Sequence, residues 1–178
     1  YQVVKEPWNL RLGLRKEWTR EKVSYVLQPR DDFRTSSDDW FLSLLASYEL
    51  SASSTLSLSY RSNITRPSIR HLSPRSILQD PSYVYYGNPK LRSEKHHTWG
   101  SEWSYTKEEL LLNLSASYSY SNNAIQADLG VLPEGGMYRT FSNAGRYRDA
   151  SLSGYGSYSF SKVVSASLEA STQYRILE

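Results

Sequence analysis

The sequence predicts an all-β chain, an antiparallel up-and-down meander of about seven strands that forms a segment of a larger transmembrane β-barrel. Three observations carry that expectation. Apolar and polar residues alternate in at least six stretches, most cleanly over 109–121 and 163–176. Successive side chains of a strand point to opposite faces, so each stretch is a ribbon with one apolar and one wet side. The connections alternate short and long without exception, as in membrane barrels with tight turns on one rim and long loops on the other. Trp and Tyr collect at two levels of the apolar face, as aromatic belts do at the two membrane–water interfaces.

Taken in order, strand one (about 8–18) places Trp8, Leu10, Leu12, Leu14 and Trp18 on one face. The ten residues from Trp8 to Trp18, rising ~3.3 Å each and tilted ~40°, cover roughly 25 Å, the height of a barrel's apolar band. Residues 20–29 hold an extra strand piece around Val23, Tyr25 and Leu27. Strand two (about 40–50) carries Trp40, Leu42, Leu44, Ala46, Tyr48 and Leu50, and strand three (about 55–64) Leu56, Leu58 and Tyr60. Strand four (about 96–106) has Trp99, Trp103 and Tyr105. Strands five to seven (about 109–121, 150–160 and 163–176) set Leu110, Leu112, Leu114, Val164, Ala166 and Leu168 outward, with Leu112 expected near mid-membrane. The other face, with Arg11, Arg15, Glu17, Asn113, Glu169, Gln173, Arg175 and many Ser, suits a water-filled lumen. Short turns fall at 51–54, 106–108 and 161–162; long connections fall at 19–39, 65–95 and 122–149. No segment sustains a helical period, so no helix beyond two turns is expected.

Composition narrows the class. A mean hydropathy of −0.59 and the lack of any apolar run of about 18 residues exclude transmembrane helices but not a barrel, whose strands are half polar. The absence of Cys excludes disulfides and thiolate metal sites. The net charge of +3 is spread among strands and loops with acids close by, which argues against nucleic acid as a partner. The start, Tyr1-Gln2-Val3-Val4-Lys5, lacks a signal-peptide core, and Tyr174-Arg175-Ile176-Leu177-Glu178 is mid-strand by pattern, so both ends read as cuts through a longer chain.

One connection carries a motif. It reads Ile64-Thr65-Arg66-Pro67-Ser68, then His71-Leu72-Ser73-Pro74, Asp80-Pro81, and Gly87-Asn88-Pro89-Lys90-Leu91-Arg92-Ser93-Glu94. With Leu12-Gly13-Leu14-Arg15 before it and Asn143-Ala144-Gly145 after it, this resembles the TonB-dependent receptor-like outer-membrane β-barrel proteins common in Bacteroidetes. The chain departs from their pattern at Ser73, Arg75 and Ser93, where Asn, an aromatic and Pro are usual. The resemblance implies that residues 1–178 are part of one outer-membrane barrel domain, with its plug domain and final strand elsewhere. It implies TonB coupling through a missing N-terminal part, uptake of a bulky nutrient, outer-membrane lipid and lipopolysaccharide around the wall, and a possible surface lipoprotein partner.

The prolines at 67, 74, 81 and 89 fix φ and donate no ladder hydrogen bond, so 65–92 reads as a folded, partly rigid loop. Arg66, Arg70, Arg75 and Arg92 could clamp an anion, or pair with Asp80, Glu94 or lipopolysaccharide phosphates. The expected ligand-contact set on the long-loop rim is Arg66, Arg70, Tyr83, Tyr85, Tyr86, Tyr138, Arg139, Phe141 and Arg146, offering stacking faces and charged donors; the competing reading is that the aromatics only pack the loops together.

Other chemistry is weak. His96 and His97 are strand neighbours that face opposite sides, and His71 is remote, so no metal site is expected. Asp31-Asp32, Asp38-Asp39 and Glu108-Glu109 read as solvated loop or turn residues, and Gly135-Gly136 as a hairpin tip. No Gly-x-Ser-x-Gly elbow, catalytic cluster or cofactor motif is present, so an enzyme is not expected. Two alternatives to the transporter wall stand: a soluble secreted β-sheet module stacking its aromatics on carbohydrate, and an outer-membrane barrel enzyme.

Overall fold

A computed structural model describes residues 2–25, 32–80, 82–133 and 135–178. Its one sheet has ten strands: β1 (Gln2–Lys5), β2 (Trp8–Val23), β3 (Phe33–Ser51), β4 (Ser54–Thr65), β5 (Ile77–Asp80), β6 (Tyr83–Tyr85), β7 (Glu94–Lys107), β8 (Leu110–Val131), β9 (Met137–Ser161) and β10 (Val164–Leu177). Eight of them, β1-β2-β3-β4-β7-β8-β9-β10, form a wall in which each strand is antiparallel to the one before. The eighth wall strand, β1, is too short for an alternation signal and is followed by Pro7, which ends its pattern. Among the described residues the single helix, α1 (Ile69–Leu72), is one turn long.

Register makes the two faces explicit, because directly opposed residues of an antiparallel pair share a face. Leu12 opposes Leu44, which opposes Tyr60, Trp99, Tyr118, Ala150 and Tyr174 in succession along the sheet. Leu42, Leu44, Leu58, Leu114, Val164 and Leu168 all lie exposed on this face. On the other face Ser47 bonds Ser57 at 3.0 Å, and Ser115 and Ser117 bond Ser153 and Ser151 at 2.7 Å. Farther along the same face, Arg175 bonds Asp149 at 2.8 Å and Gln173 bonds it at 2.7 Å. A soluble sheet would cover so large an apolar face; here hydrocarbon is its solvent.

The aromatic levels are real contacts. On the turn side Trp8 and Tyr48 rings lie 4.4 Å apart and Tyr158 and Phe160 5.0 Å apart. On the loop side Tyr60, Trp99 and Tyr118 form a row at 5.4 and 5.8 Å. Leu112 opposes Tyr105 and Leu114 opposes Trp103, whose rings stack at 6.1 Å, so Leu112 lies at the turn-side belt and Leu114 one outward position further toward the Trp99–Tyr118 row.

Three expectations about the connections change. The segments 19–39 and 122–149 are mostly strand: β2 and β3 stay paired to Val23 and Phe33, and β8 and β9 to Val131 and Met137. Beyond the belt both faces are wet, so the ladder continues while the apolar alternation that reveals it disappears. Of the extra strand piece, Val23 ends β2, Tyr25 lies just after it, and Leu27 falls outside the described residues. The all-antiparallel expectation holds for the wall but not for the outer loop, where β6 pairs parallel to β9 over Tyr83–Tyr85 and Met137–Arg139.

The face assignment predicts unequal costs for charge. In the complete barrel Leu114→Arg should destabilise by ~2–4 kcal/mol, whereas Ser115→Arg, one residue on but toward the lumen, should cost well under ~1 kcal/mol. Denaturant unfolding in lipid vesicles measures both; equal costs would mean that the faces meet the same solvent.

Candidate functional site

The site is built by the loop between β4 and β7, and each residue of its motif has a structural task. Arg66 leaves β4 and reaches back across the sheet, its guanidinium 2.8 Å from Glu17 and 3.4 Å from Asp39. Pro67 follows, and Ser68 caps α1, its Oγ accepting from the His71 N–H at 3.3 Å. Gly87 then lies on the end of that turn: its N–H donates to Ser73 C=O at 2.7 Å and the Asn88 N–H to His71 C=O at 2.6 Å. A Cβ at Gly87 would stand 2.5–2.8 Å from the carbonyl oxygens of His71, Ser73 and Arg70, so no larger residue fits without moving backbone. Asn88 donates Nδ2–H to Phe141 C=O at 2.9 Å, tying the loop to β9. Asn143 completes the tie, accepting from the Arg92 N–H at 2.7 Å and donating to the carbonyls of Arg92 and Asn123.

Beneath these bonds lies an apolar core of Phe33, Leu72, Tyr85, Leu91 and Phe141, with Val23, Tyr25 and Ile125 packed against it. Val23, Tyr25 and Phe33 come from the β2–β3 hairpin, Ile125 and Phe141 from the β8–β9 extension, and Leu72, Tyr85 and Leu91 from the loop. The loop is therefore a wedge joining two hairpins. Val23 and Phe33 share a face with Arg15, Glu17 and Asp39, so the wedge sits on the lumen side of the wall. Between wedge and wall is a cavity of about 370 Å³, lined by Thr19, Thr35, Asp39, Arg66, Lys95 and Asn123 among others. Its size falls at the lower end of small-ligand sites.

Electrostatics keep the wedge in place. Glu17 is shared between Arg66 and Arg15, the latter at 3.1 Å, and Asp39 is buried. The hydrogen bond to Glu17 raises the Arg66 pKa above its already high value, with desolvation opposing. Arg66 Nε is buried without a protein partner.

The nine expected contact residues divide. Tyr85 and Phe141 are buried in the wedge core, and Arg66 turns inward to Glu17 and Asp39, so these three hold the loop rather than face solvent. Arg70 is exposed and lies over the Tyr85 ring at 4.8 Å; Arg139 is exposed and lies over Phe141 at 5.4 Å. Tyr86 and Tyr138 stack at 5.8 Å, half-buried, with the Tyr138 ring folded over Gly130. Tyr83 is half-buried in β6, and Arg146 is exposed on β9 with its backbone paired to Glu178. Glu94, one of the acids proposed for the loop arginines from sequence, instead lies 3.3 Å from His96 and accepts the Ile125 N–H at 2.7 Å. Glu17 carried an inward place in the alternation, but Asp39 read as a solvated loop residue and is instead buried in β3; the pairing was missed because Arg66 is about thirty to fifty residues away in sequence. His96 and His97 do face opposite sides, His96 bonding Thr65 and Tyr147 and His97 bonding Tyr60.

An antiparallel wall with an apolar outer face, two aromatic belts and a lumen-side outer loop defines a transmembrane β-barrel protein. The chain belongs to the outer membrane protein beta-barrel family, whose model matches residues 1–177. Its place is the outer membrane, which sets aside the soluble secreted module. No curated protein matches by sequence. Among solved structures it is similar to the siderophore receptor PirA from Pseudomonas aeruginosa (15% identity, TM-score 0.70, 98% of this chain and 41% of that one). It is also similar to the FrpB iron transporter from Neisseria meningitidis (16%, 0.71, 99% and 24%) and to the copper transporter OprC (16%, 0.73, 97% and 27%). At such identities the likeness is one of fold, and the chain spans between a quarter and two-fifths of those proteins' length.

The wedge predicts a sharp test. Gly87→Ala should release the loop by breaking both bonds to the end of α1, and trypsin should then cut at the exposed Arg75 at least about tenfold faster, while the barrel stays folded. Cleavage at the wild-type rate would mean that the loop does not depend on that close approach.

Proposed function

We propose that this chain is wall and outer rim of a TonB-dependent transporter that takes up a bulky solute, and that the wedge presents part of the binding surface at the lumen mouth. The observation that carries this reading is the loop folded by its own core onto the lumen side of the wall. A loop that only shielded the rim would not need to reach inward. The structural neighbours include a siderophore receptor, an iron transporter and a copper transporter, which supports transport over catalysis. A plug domain would meet the inward groups Arg11, Arg15, Glu169 and Gln173, and TonB would act through that plug. The loop motif favours the Bacteroidetes type of receptor, and with it a surface lipoprotein above the rim.

The groups placed to touch solute are Arg70, Tyr83, Tyr86, Tyr138, Arg139 and Arg146, whereas Arg66, Tyr85 and Phe141 position them. The half-exposed Tyr86 and Tyr138 rings stack on each other, and the Arg70 and Arg139 guanidinia lie over the buried Tyr85 and Phe141 rings, so these groups are pre-organised, which lowers the ordering cost of binding. In the complete protein, Tyr86→Ser, Tyr138→Ser and Arg139→Ser combined should cut TonB-dependent uptake about tenfold or more, the loss of roughly 1.4 kcal/mol of contact. Uptake is read with a labelled panel of metal chelates and oligosaccharides, and folding by heat-modifiable gel mobility. Uptake at the wild-type rate from a folded variant would assign the contact to other loops or to the plug.

A further inference from the structure

On the outer face of β2 and β3, beyond the aromatic belt, three cations stand close together without an ion pair among the described residues. The register from Trp8↔Tyr48 to Val23↔Phe33 is unbroken, so the even-numbered residues of β2 remain on the membrane-facing side to its end. After Trp18 these are Arg20 and Lys22, and opposite them on β3 stand Ser36 and Arg34. Lys22 and Arg34 are direct cross-strand partners, an arrangement that destabilises a sheet unless an anion lies between them.

No side chain among the described residues supplies that anion. Among the described residues none of Arg20, Lys22 and Arg34 makes an ion pair, and all three are exposed. Glu21 lies between two of them in sequence but points to the lumen side. Asp38, the nearest acid on this face, is held by Lys16 at 3.1 Å, and Asp32 accepts the Tyr25 N–H at 2.7 Å.

The patch also has a defined height. Lys16 lies between the Trp18 and Trp40 rings, 4.7 and 4.8 Å from them, which marks the loop-side belt. Arg20 and Lys22 follow Trp18 by two and four residues, ~7 and ~13 Å along the strand, in the headgroup layer. There Arg20, Glu21, Lys22, Arg34, Thr35 and Ser36 line a shallow groove, three cations against the one carboxylate of Glu21, whose position in the register is on the lumen side. Below the groove the wall is apolar, with Leu14, Leu42 and Leu12 exposed.

We infer that this groove binds the phosphate groups of a glycolipid in the outer leaflet, with Arg20, Lys22 and Arg34 on the phosphates and the acyl chains against the leucines below. A phosphate is the anion that Lys22 and Arg34 lack, and guanidinium forks suit it. The continuity of cations, aromatic belt and apolar band favours a ligand that has both a charged head and a hydrocarbon body. The assignment differs from the sequence-based one: Arg66 faces the lumen, and the lipid-facing cations are on the β2–β3 hairpin. It rests on the outer-membrane placement and not on the transport reading.

The test uses the complete protein in detergent with three probes: bisphosphorylated lipid A, dephosphorylated lipid A and inorganic phosphate. Arg20→Gln, Lys22→Gln and Arg34→Gln combined should weaken binding of bisphosphorylated lipid A about tenfold or more, while Lys162→Gln at the opposite rim leaves it unchanged. Dephosphorylated lipid A should bind weakly and alike to both proteins. If the triple variant fails to fold by gel mobility, Arg34→Gln alone, which removes the like-charge contact, should fold and bind about threefold more weakly. Three results would overturn the inference: undiminished lipid A binding by the folded variants, dephosphorylated lipid A bound as tightly as the bisphosphorylated form, or inorganic phosphate displacing lipid A at equal concentration.

Discussion

A sheet with hydrocarbon on one side and water on the other has no place for an ordinary core. Every backbone donor and acceptor inside the membrane must be closed by a neighbouring strand, because the lipid offers no partner. The apolar side chains are satisfied by lipid and the polar ones by the lumen, so nothing in the wall selects tertiary packing. The long continuous ladders from β2 to β10 follow from that constraint, and so does the inverted burial, with leucines and tryptophans among the most exposed side chains.

The constraint ends at the aromatic belt, and there the chain changes its physics. Past Trp18 and Trp40 both faces are wet, so the extensions of β2–β3 and β8–β9 must be held by something other than lipid. The wedge does this with a conventional small core, Phe33, Leu72, Tyr85, Leu91 and Phe141, drawn from three segments distant in sequence. Arg66 anchors one flank through Glu17 and Asp39, and Asn88 and Asn143 anchor the other. Two kinds of order meet at one level, and the candidate ligand groups lie on the second kind.

This explains which parts of the molecule were legible in the sequence. Strands facing lipid advertise themselves, since each outward position must be apolar, and Leu110-to-Tyr118 or Val164-to-Leu168 could be read directly. The extensions were hidden because Thr19, Arg20, Glu21 and Lys22 are polar on both faces while still paired to β3. The motif of the loop was visible, but its meaning was not: Gly87 is required by three carbonyls from a turn about fifteen residues earlier, and Tyr85 and Phe141 look like ligand aromatics until packing shows them buried. Local spacing carries strand and turn geometry; it does not carry the long-range contacts that decide whether an aromatic or an arginine faces solvent.

The central claim is that 66–93 is a folded wedge with native-like protection and not a loose outer loop. Amide hydrogen exchange on the complete protein tests it most directly, read at Leu72, Ser73, Gly87 and Asn88, whose N–H groups donate within the wedge. The account predicts that these amides are protected by orders of magnitude, close to the amides of β7 and β8. Exchange at the rate of an unstructured segment would contradict it, and the rim would then lack the scaffold on which the proposed site depends.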